Sequence, residues 1–148
     1  MIMSEQQPQF ALQRLYLKDL SFESPNTPLI FADQTQPQVD INYNVEHRQI
    51  QDSLYEVVVR LNVTVKSGDK TAFLVELQQA GAFQIAGLEG ESLEHALEAF
   101  CPNIIFPYAR ETIDSMVVRG GFPPLMMAPI NFEAIFQQRK AQQQATQQ

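Results

Sequence analysis

Residues 54–79 decide the fold: Leu54-Tyr55-Glu56-Val57-Val58-Val59-Arg60-Leu61-Asn62-Val63-Thr64-Val65-Lys66, then Ser67-Gly68-Asp69-Lys70, then Thr71-Ala72-Phe73-Leu74-Val75-Glu76-Leu77-Gln78-Gln79. Apolar side chains recur at every second position on both sides of the Gly-Asp pair. Tyr55, Val57, Val59, Leu61, Val63 and Val65 share one parity before it, and Phe73, Val75 and Leu77 share one after it. A period of two belongs to a strand with one face on a core. The four residues between the runs read as a hairpin turn. The opposite parity carries Leu54, Glu56, Val58, Arg60, Asn62, Thr64 and Lys66, then Leu74, Glu76 and Gln78. Gly81 marks a bulge or bend before Phe83 and Ile85.

Two further strands lie upstream. Residues 37–46 alternate without a break: Val39, Ile41, Tyr43 and Val45 against Gln38, Asp40, Asn42, Asn44 and Glu46. The polar stretch from Glu46 to Ser53 reads as a loop. Residues 10–23 put Phe10, Leu12, Tyr16, Leu20 and Phe22 on one parity, interrupted by Arg14 and Lys18; Leu15, Leu17, Asp19 and Glu23 fall on the other. Ser24-Pro25-Asn26-Thr27-Pro28 ends that strand, since proline donates no ladder hydrogen bond and asparagine favours turns.

Downstream the period changes. Ser92 is placed to cap a short helix over Leu93, Ala96, Leu97 and Phe100 that ends before Pro102. A longer helix is predicted from about Ile104 to Arg119, stopped by Gly120-Gly121, with Pro107 in its first turn. Ile105, Ala109, Thr112 and Met116 line one face of it. Asn131 caps a last helix carrying Phe132, Ile135 and Phe136. The expected fold class is α+β: a four-stranded antiparallel sheet with a long helix and a C-terminal helix on one face. The expected organisation is a flexible N-terminus over 1–9, one domain over 10–136, and a glutamine-rich tail over 137–148 that frays or is disordered.

Composition excludes several classes. A chain of 148 residues can bury a core without disulfides or metal. The net charge of −7 argues against nucleic acid and anionic membranes and permits a basic partner. No apolar run approaches the ~18 residues of a membrane span. The N-terminus lacks the basic and apolar regions of a signal peptide. Cys101 is the single cysteine, so no internal disulfide forms, which fits a cytoplasmic protein. His47 and His95 lack the partners of a zinc site, and no phosphate-binding, nucleophile-elbow or zinc-protease motif occurs. Neither a metal nor a cofactor is expected, and the chain reads as a binding protein rather than an enzyme.

Two surfaces stand out. The outward parity of the sheet combines acids (Asp19, Glu23, Asp40, Glu46, Glu56, Glu76) with Leu15, Leu17, Val58 and Leu74. Such a face suits a basic, partly apolar partner. The alternative is that subunits or a helix cover the leucines and the acids serve solubility. Second, Phe122, Leu125, Met126, Met127, Phe132 and Phe136 would make an adaptable apolar groove, or else the cover of the core.

Several segments together resemble SecB, the bacterial protein-export chaperone family. They are Leu17-Lys18-Asp19-Leu20-Ser21-Phe22-Glu23, Thr71-Ala72-Phe73-Leu74, Ile85-Ala86-Gly87-Leu88-Glu89-Gly90, the long run Cys101-Pro102-Asn103-Ile104-Ile105-Phe106-Pro107-Tyr108-Ala109-Arg110-Glu111, and Ala128-Pro129-Ile130-Asn131-Phe132. The resemblance covers about residues 10–136. It implies an ATP-independent cytoplasmic chaperone that holds unfolded preproteins and delivers them to the SecA ATPase. It implies a homotetramer, a dimer of dimers, with Ile105, Ala109, Thr112 and Met116 at the interface. The family's contact with the basic, zinc-bearing tail of SecA corresponds to Asp19, Glu23, Leu74 and Glu76, and the zinc belongs to the partner. The family's preprotein groove corresponds to Leu29, Ile30, Phe31, Phe132, Ile135 and Phe136, to which the loop adds Phe122, Leu125 and Met126. The chain departs from the family where related members often carry tryptophan and tyrosine, having Thr35 and Arg139, so a less aromatic groove is expected. Two alternatives stay open: a SecB-like chaperone dedicated to one client, such as an antitoxin, and a small thioesterase-like α+β enzyme.

Overall fold

The structure, a computed structural model, describes residues 7–146. Strands β1 (Gln9–Glu23), β2 (Pro37–Gln51), β3 (Leu54–Ser67) and β4 (Lys70–Ala86) form one antiparallel sheet in the order β1-β4-β3-β2. The hairpin between β3 and β4 closes at Gly68 and Asp69, with Gly68 in the left-handed region at φ 61°. A second hairpin closes β2 to β3 through Asp52 and Ser53. So β2 runs on to Gln51, through the polar stretch expected as a loop. Its residues still alternate there, but at a sheet edge neither set must be apolar, and the pattern fades.

Pairing of β4 with β3 continues past Gly81 without a break. This glycine makes room instead of bending the strand: a Cβ there would lie 2.8 Å from the Phe83 ring and 3.3 Å from Leu12. Where β1 meets β4 the bulges are in β1, between Leu12 and Arg14 and between Leu17 and Asp19, and two further irregularities lie at Gln49–Gln51 in β2 and at Val65–Lys66 opposite β4. Each extra residue exchanges the two faces of the strand. Phe10 and Leu12 therefore share the core face with Leu15 and Leu17, and again with Leu20 and Phe22, through their partners Ile85, Phe83, Gly81, Gln79, Leu77 and Val75. The expected placement of Leu15 and Leu17 outside and Tyr16 inside is reversed. Buried Gln79 donates its side-chain amide to the Tyr16 carbonyl at 3.1 Å, beside the second bulge.

Residues 90–119 are helical without a gap: α1 (Gly90–His95), a π turn over Ala96–Phe100, and α2 (Cys101–Arg119). Ser92 lies inside α1 and makes no cap. Pro102, expected as a stop, sits in the first turn of α2, where a missing N–H costs little. Pro107 is inside α2 on its exposed side, and the carbonyl it leaves without a donor belongs to Asn103, also exposed, so water can serve it.

One stripe of α2 meets the sheet: Cys101, Ile105, Ala109, Ile113 and Val117, with Pro102 and Phe106 beside it, all buried. The stripe divides the four residues expected at the interface. Ile105 and Ala109 have 0% exposure and pack on the chain's own sheet. Thr112 and Met116 lie off that stripe, half-buried, near exposed Tyr108 and Val118. The i+4 spacing that linked all four residues could not tell the sheet-facing stripe from its neighbour.

The last helix, α3 (Phe132–Thr146), has the expected cap: the Asn131 side-chain oxygen accepts the Ala134 N–H at 3.0 Å. It continues ten residues beyond Phe136, through the stretch expected to fray; Gln147 and Gln148 lie outside the described residues. Arg139 pairs with Glu98, and Lys140 with Glu94, tying α3 to α1 and the π turn. Of the expected flexible N-terminus, residues 1–6 lie outside the described residues, and Gln9 already opens β1.

Candidate functional site

Two surfaces on opposite sides of the sheet collect the candidate residues. On the helix-free face, register sets Glu23 beside Leu74, Ser21 beside Glu76 and Asp19 beside Gln78. Asp19, Glu23, Leu74 and Glu76 thus form one patch on two adjoining strands. The three acids are exposed and Leu74 is half-buried among them. Among the described residues, none of these acids is in an ion pair, while Glu46 pairs with Arg60 at 3.1 Å. Such a patch keeps its full negative charge for a visiting cation.

Further along the same face, Glu56 departs from expectation. It is only 4% exposed. Its carboxylate accepts hydrogen bonds from the Tyr16 hydroxyl (2.6 Å), Arg48 Nε (3.0 Å) and Lys18 Nζ (3.2 Å). Tyr16 and Lys18 are on β1 and Glu56 on β3, with β4 between; Ala80 and Ala82 of β4 form a shallow trough over which they reach. Burial by itself raises the Glu56 pKa, but the bonds from Tyr16, Arg48 and Lys18 outweigh it and hold the carboxyl below the usual range. The Tyr16 phenol is pushed up to about 12, first by burial and then by Glu56, so it remains a donor.

On the other face, the 3-10 turn Leu29–Ala32, the start of β2 and the loop Gly121–Leu125 enclose a cavity of about 420 Å³. Ile30 forms its floor, and Phe31, Val39, Phe122 and Leu125 its apolar walls, with Asp33 and Thr35 at the polar end. Three rings run in a row: Phe31 to Phe122 at 5.2 Å and Phe122 to Phe73 at 4.8 Å. Two glycines seat the neighbouring rings. A Cβ at Gly120 would lie 2.3 Å from Phe22 Cζ, and one at Gly121, where φ is 92°, would lie 2.9 Å from Phe31 Cζ. Asp114 fixes the far wall, its carboxylate accepting the Leu125 N–H at 3.0 Å. Leu29 and Met126, 79% and 78% exposed, stand on the segments that form these walls.

Not every expected groove residue joins this cavity. Phe132 and Phe136 are both 3% exposed. Phe132 packs edge-on against Phe106 and Tyr43, and Phe136 against His95 beneath Arg139 and Lys140. Ile135 is half-buried on the same helix. Thr35 is at the cavity, whereas Arg139 lies elsewhere, on Glu98.

Catalytic readings find little support. Cys101 is buried, and burial pushes its thiol up to about 12. Iodoacetamide at pH 8 is therefore expected to leave Cys101 unmodified in the native protein and to label it fully in denaturant, as mass spectrometry would show; rapid native labelling would contradict the burial. His95 contacts the Glu133 carboxylate, which that bond holds below its usual range. Among the described residues, no group of three His, Cys, Asp or Glu is placed to hold a metal ion, and no helix is long and apolar enough to cross a membrane.

Comparison with known proteins identifies the family. A family model described as "Preprotein translocase subunit SecB" matches residues 3–143. Protein-export protein SecB of Marinobacter nauticus is 57% identical over 135 residues, 91% of this chain and 82% of that one. Its counterpart from Hahella chejuensis is 55% identical, covering 95% of this chain and 89% of that one. Among solved structures, a SecB-like chaperone of Mycobacterium tuberculosis, in complex with a peptide from the HigA1 antitoxin, matches with a TM-score of 0.65 over 82% of this chain and 90% of that one. At 13% identity that likeness speaks to the fold alone.

Proposed function

The chain belongs to the SecB family, and from that premise we propose that it is an ATP-independent export chaperone of the cytoplasm that holds unfolded preproteins and delivers them to SecA. The observation that carries the reading is the separation of two surfaces with different chemistry. One is a ring-lined apolar cavity, the other an acidic patch without counter-ions among the described residues.

In this mechanism, clients bind before folding hides their apolar segments. Phe31, Phe122, Leu125 and Val39, flanked by Leu29 and Met126, take short apolar stretches over Ile30. Methionine and rings in a row adapt to many side chains, which suits a client set without a common sequence. The subunits assemble as a homotetramer, a dimer of dimers. Exposed Phe100, Tyr108 and Val118, with Thr112 and Met116 beside them and Leu12 and Leu17 on the same face of the sheet, are the apolar surface for that assembly. Several weak cavities on one tetramer then bind one client tightly, because each engaged segment raises the local concentration of the next. Asp19, Glu23 and Glu76 attract the basic, zinc-bearing tail of SecA, and Leu74 supplies an apolar contact.

A dedicated-client variant differs only in how many proteins are captured. A pull-down from cells recovers many preproteins under the general reading and one under the dedicated reading. Refolding of a slow-folding preprotein tests the holding function. The parent chain is expected to delay refolding, and Phe31→Asp together with Leu125→Asp to lose most of that delay. If the double variant delays refolding as well as the parent, the cavity is not the client site. The family is not one of enzymes, and no catalytic role is proposed.

A further inference from the structure

The buried carboxylate of Glu56 sits on the same face as the acidic patch, yet it faces no partner. Its three donors include Lys18, a residue of the β1 bulge and the immediate neighbour of Asp19. A lysine is a point charge on a flexible stem. Strands here lie ~4.8 Å apart and residues rise ~3.3 Å along each, so an ammonium freed at Lys18 can reach Asp19 and the side chain of Glu76 one strand away. We propose that Glu56 is a positioning residue for the docking patch: by holding Lys18 across the Ala80–Ala82 trough, it keeps that cation off Asp19 and Glu76.

The arrangement has the features this role needs. Glu56 is buried, so its charge serves neighbours rather than solvent. Tyr16 holds Oε2 of the carboxylate while Arg48 Nε and Lys18 Nζ share Oε1, so the group that receives Lys18 is itself fixed from two directions. Arg60, the next basic residue on this face, is likewise occupied, by Glu46. Lys66, the other basic residue at this end of β3, is exposed and pairs opposite Thr71, away from Asp19, so Lys18 is the cation next to Asp19 whose position a carboxylate outside the patch decides.

The inference rests on the proposed docking of SecA at Asp19, Glu23, Leu74 and Glu76, and titration of full-length tetramer with purified SecA at two salt concentrations tests both. Glu56→Gln is expected to weaken docking on the order of fivefold, with a shallower salt dependence, because Lys18 turns to the patch. Adding Lys18→Met to Glu56→Gln is expected to restore docking to within about twofold of the parent, and Lys18→Met alone to leave it no weaker. A merely structural role for Glu56 would not be cured by deleting the lysine, so a double variant as weak as Glu56→Gln overturns the inference, as does a Glu56→Gln chain that docks normally. Should Glu56→Gln fail to fold, Glu56→Asp keeps the charge but shortens the reach. It is expected to weaken docking about twofold, and Lys18→Met must cancel that loss. The control Glu76→Lys separates the two ideas: if it docks normally, the docking reading fails, and if it alone is impaired, only the role of Glu56 fails.

Discussion

Replacing Asp19 and Glu76 together by lysine is expected to reduce SecA affinity by roughly a hundredfold or more at low salt, while client holding stays near that of the parent. The reasons are geometric. The two acids lie on adjoining strands of the face that carries no helix, two register positions apart on the diagonal. No ion pair among the described residues neutralises either one. Two reversals change the local charge by four, and the interaction with a basic tail changes sign instead of merely weakening. Neither side chain touches the client cavity, which lies on the opposite face. The measurement is a pair of titrations, one with SecA and one with an unfolded preprotein. Loss of client binding with SecA binding intact would mean the two surfaces have been assigned the wrong way round.

The largest expected loss of stability is at Gly120. Valine there would bring a Cβ within 2.3 Å of Phe22 Cζ and 2.7 Å of Cε1. The Phe22 ring cannot simply withdraw, because it stacks on Phe73 at 5.8 Å, and Phe73 in turn supports Phe122. Overpacking of this kind costs about 3 kcal/mol, which for a chain of this length lowers the melting temperature by roughly 6–12 °C. Phe22→Ala in the Gly120→Val background is expected to return part of that loss, since the two residues share one contact. An unchanged melting temperature for Gly120→Val would show that the ring has room the structure does not give it.

Reading the sequence by parity works where a strand has neighbours on both sides and any bulge falls at its end, as at Val65–Lys66 beside the turn. For β3 and β4 it identifies the core residues and the turn, and on β1 it places Asp19 and Glu23 correctly, because they follow the last bulge. Between the bulges it inverts Leu15, Tyr16 and Leu17. A signal was present: Arg14 and Lys18 fall on the expected core parity only four residues apart, and charged residues on a core face are costly unless the chain slips register. Lys18 marks the bulge itself, which is why it can reach Glu56. That carboxylate network escaped sequence reading because it joins residues 16, 18, 48 and 56 from three strands, and nothing in a linear pattern shows that Ala80 and Ala82 leave the space. Phe132 and Phe136 were legible as apolar residues of a helix, but the choice between groove wall and core depends on how α3 leans on the π turn. The ion pairs of Arg139 and Lys140 with Glu98 and Glu94 decide that, and they lie more than forty positions apart. Asn131 as cap and Gly120 as stop were readable because caps are local.

A protein whose task requires displaying sticky surface runs the constant risk of joining its own copies into fibres, and β2 shows how this one stays apart. It is one of the two edge strands, fifteen residues long, with a free row of backbone donors and acceptors. Pro37 withholds one donor at its start, and Asp40, Glu46 and Arg48 set charges along it, so a second copy approaching edge to edge meets a gap in the ladder and must strip water from charged side chains. Good solubility in storage, even when the protein is concentrated without clients, follows from that fringe.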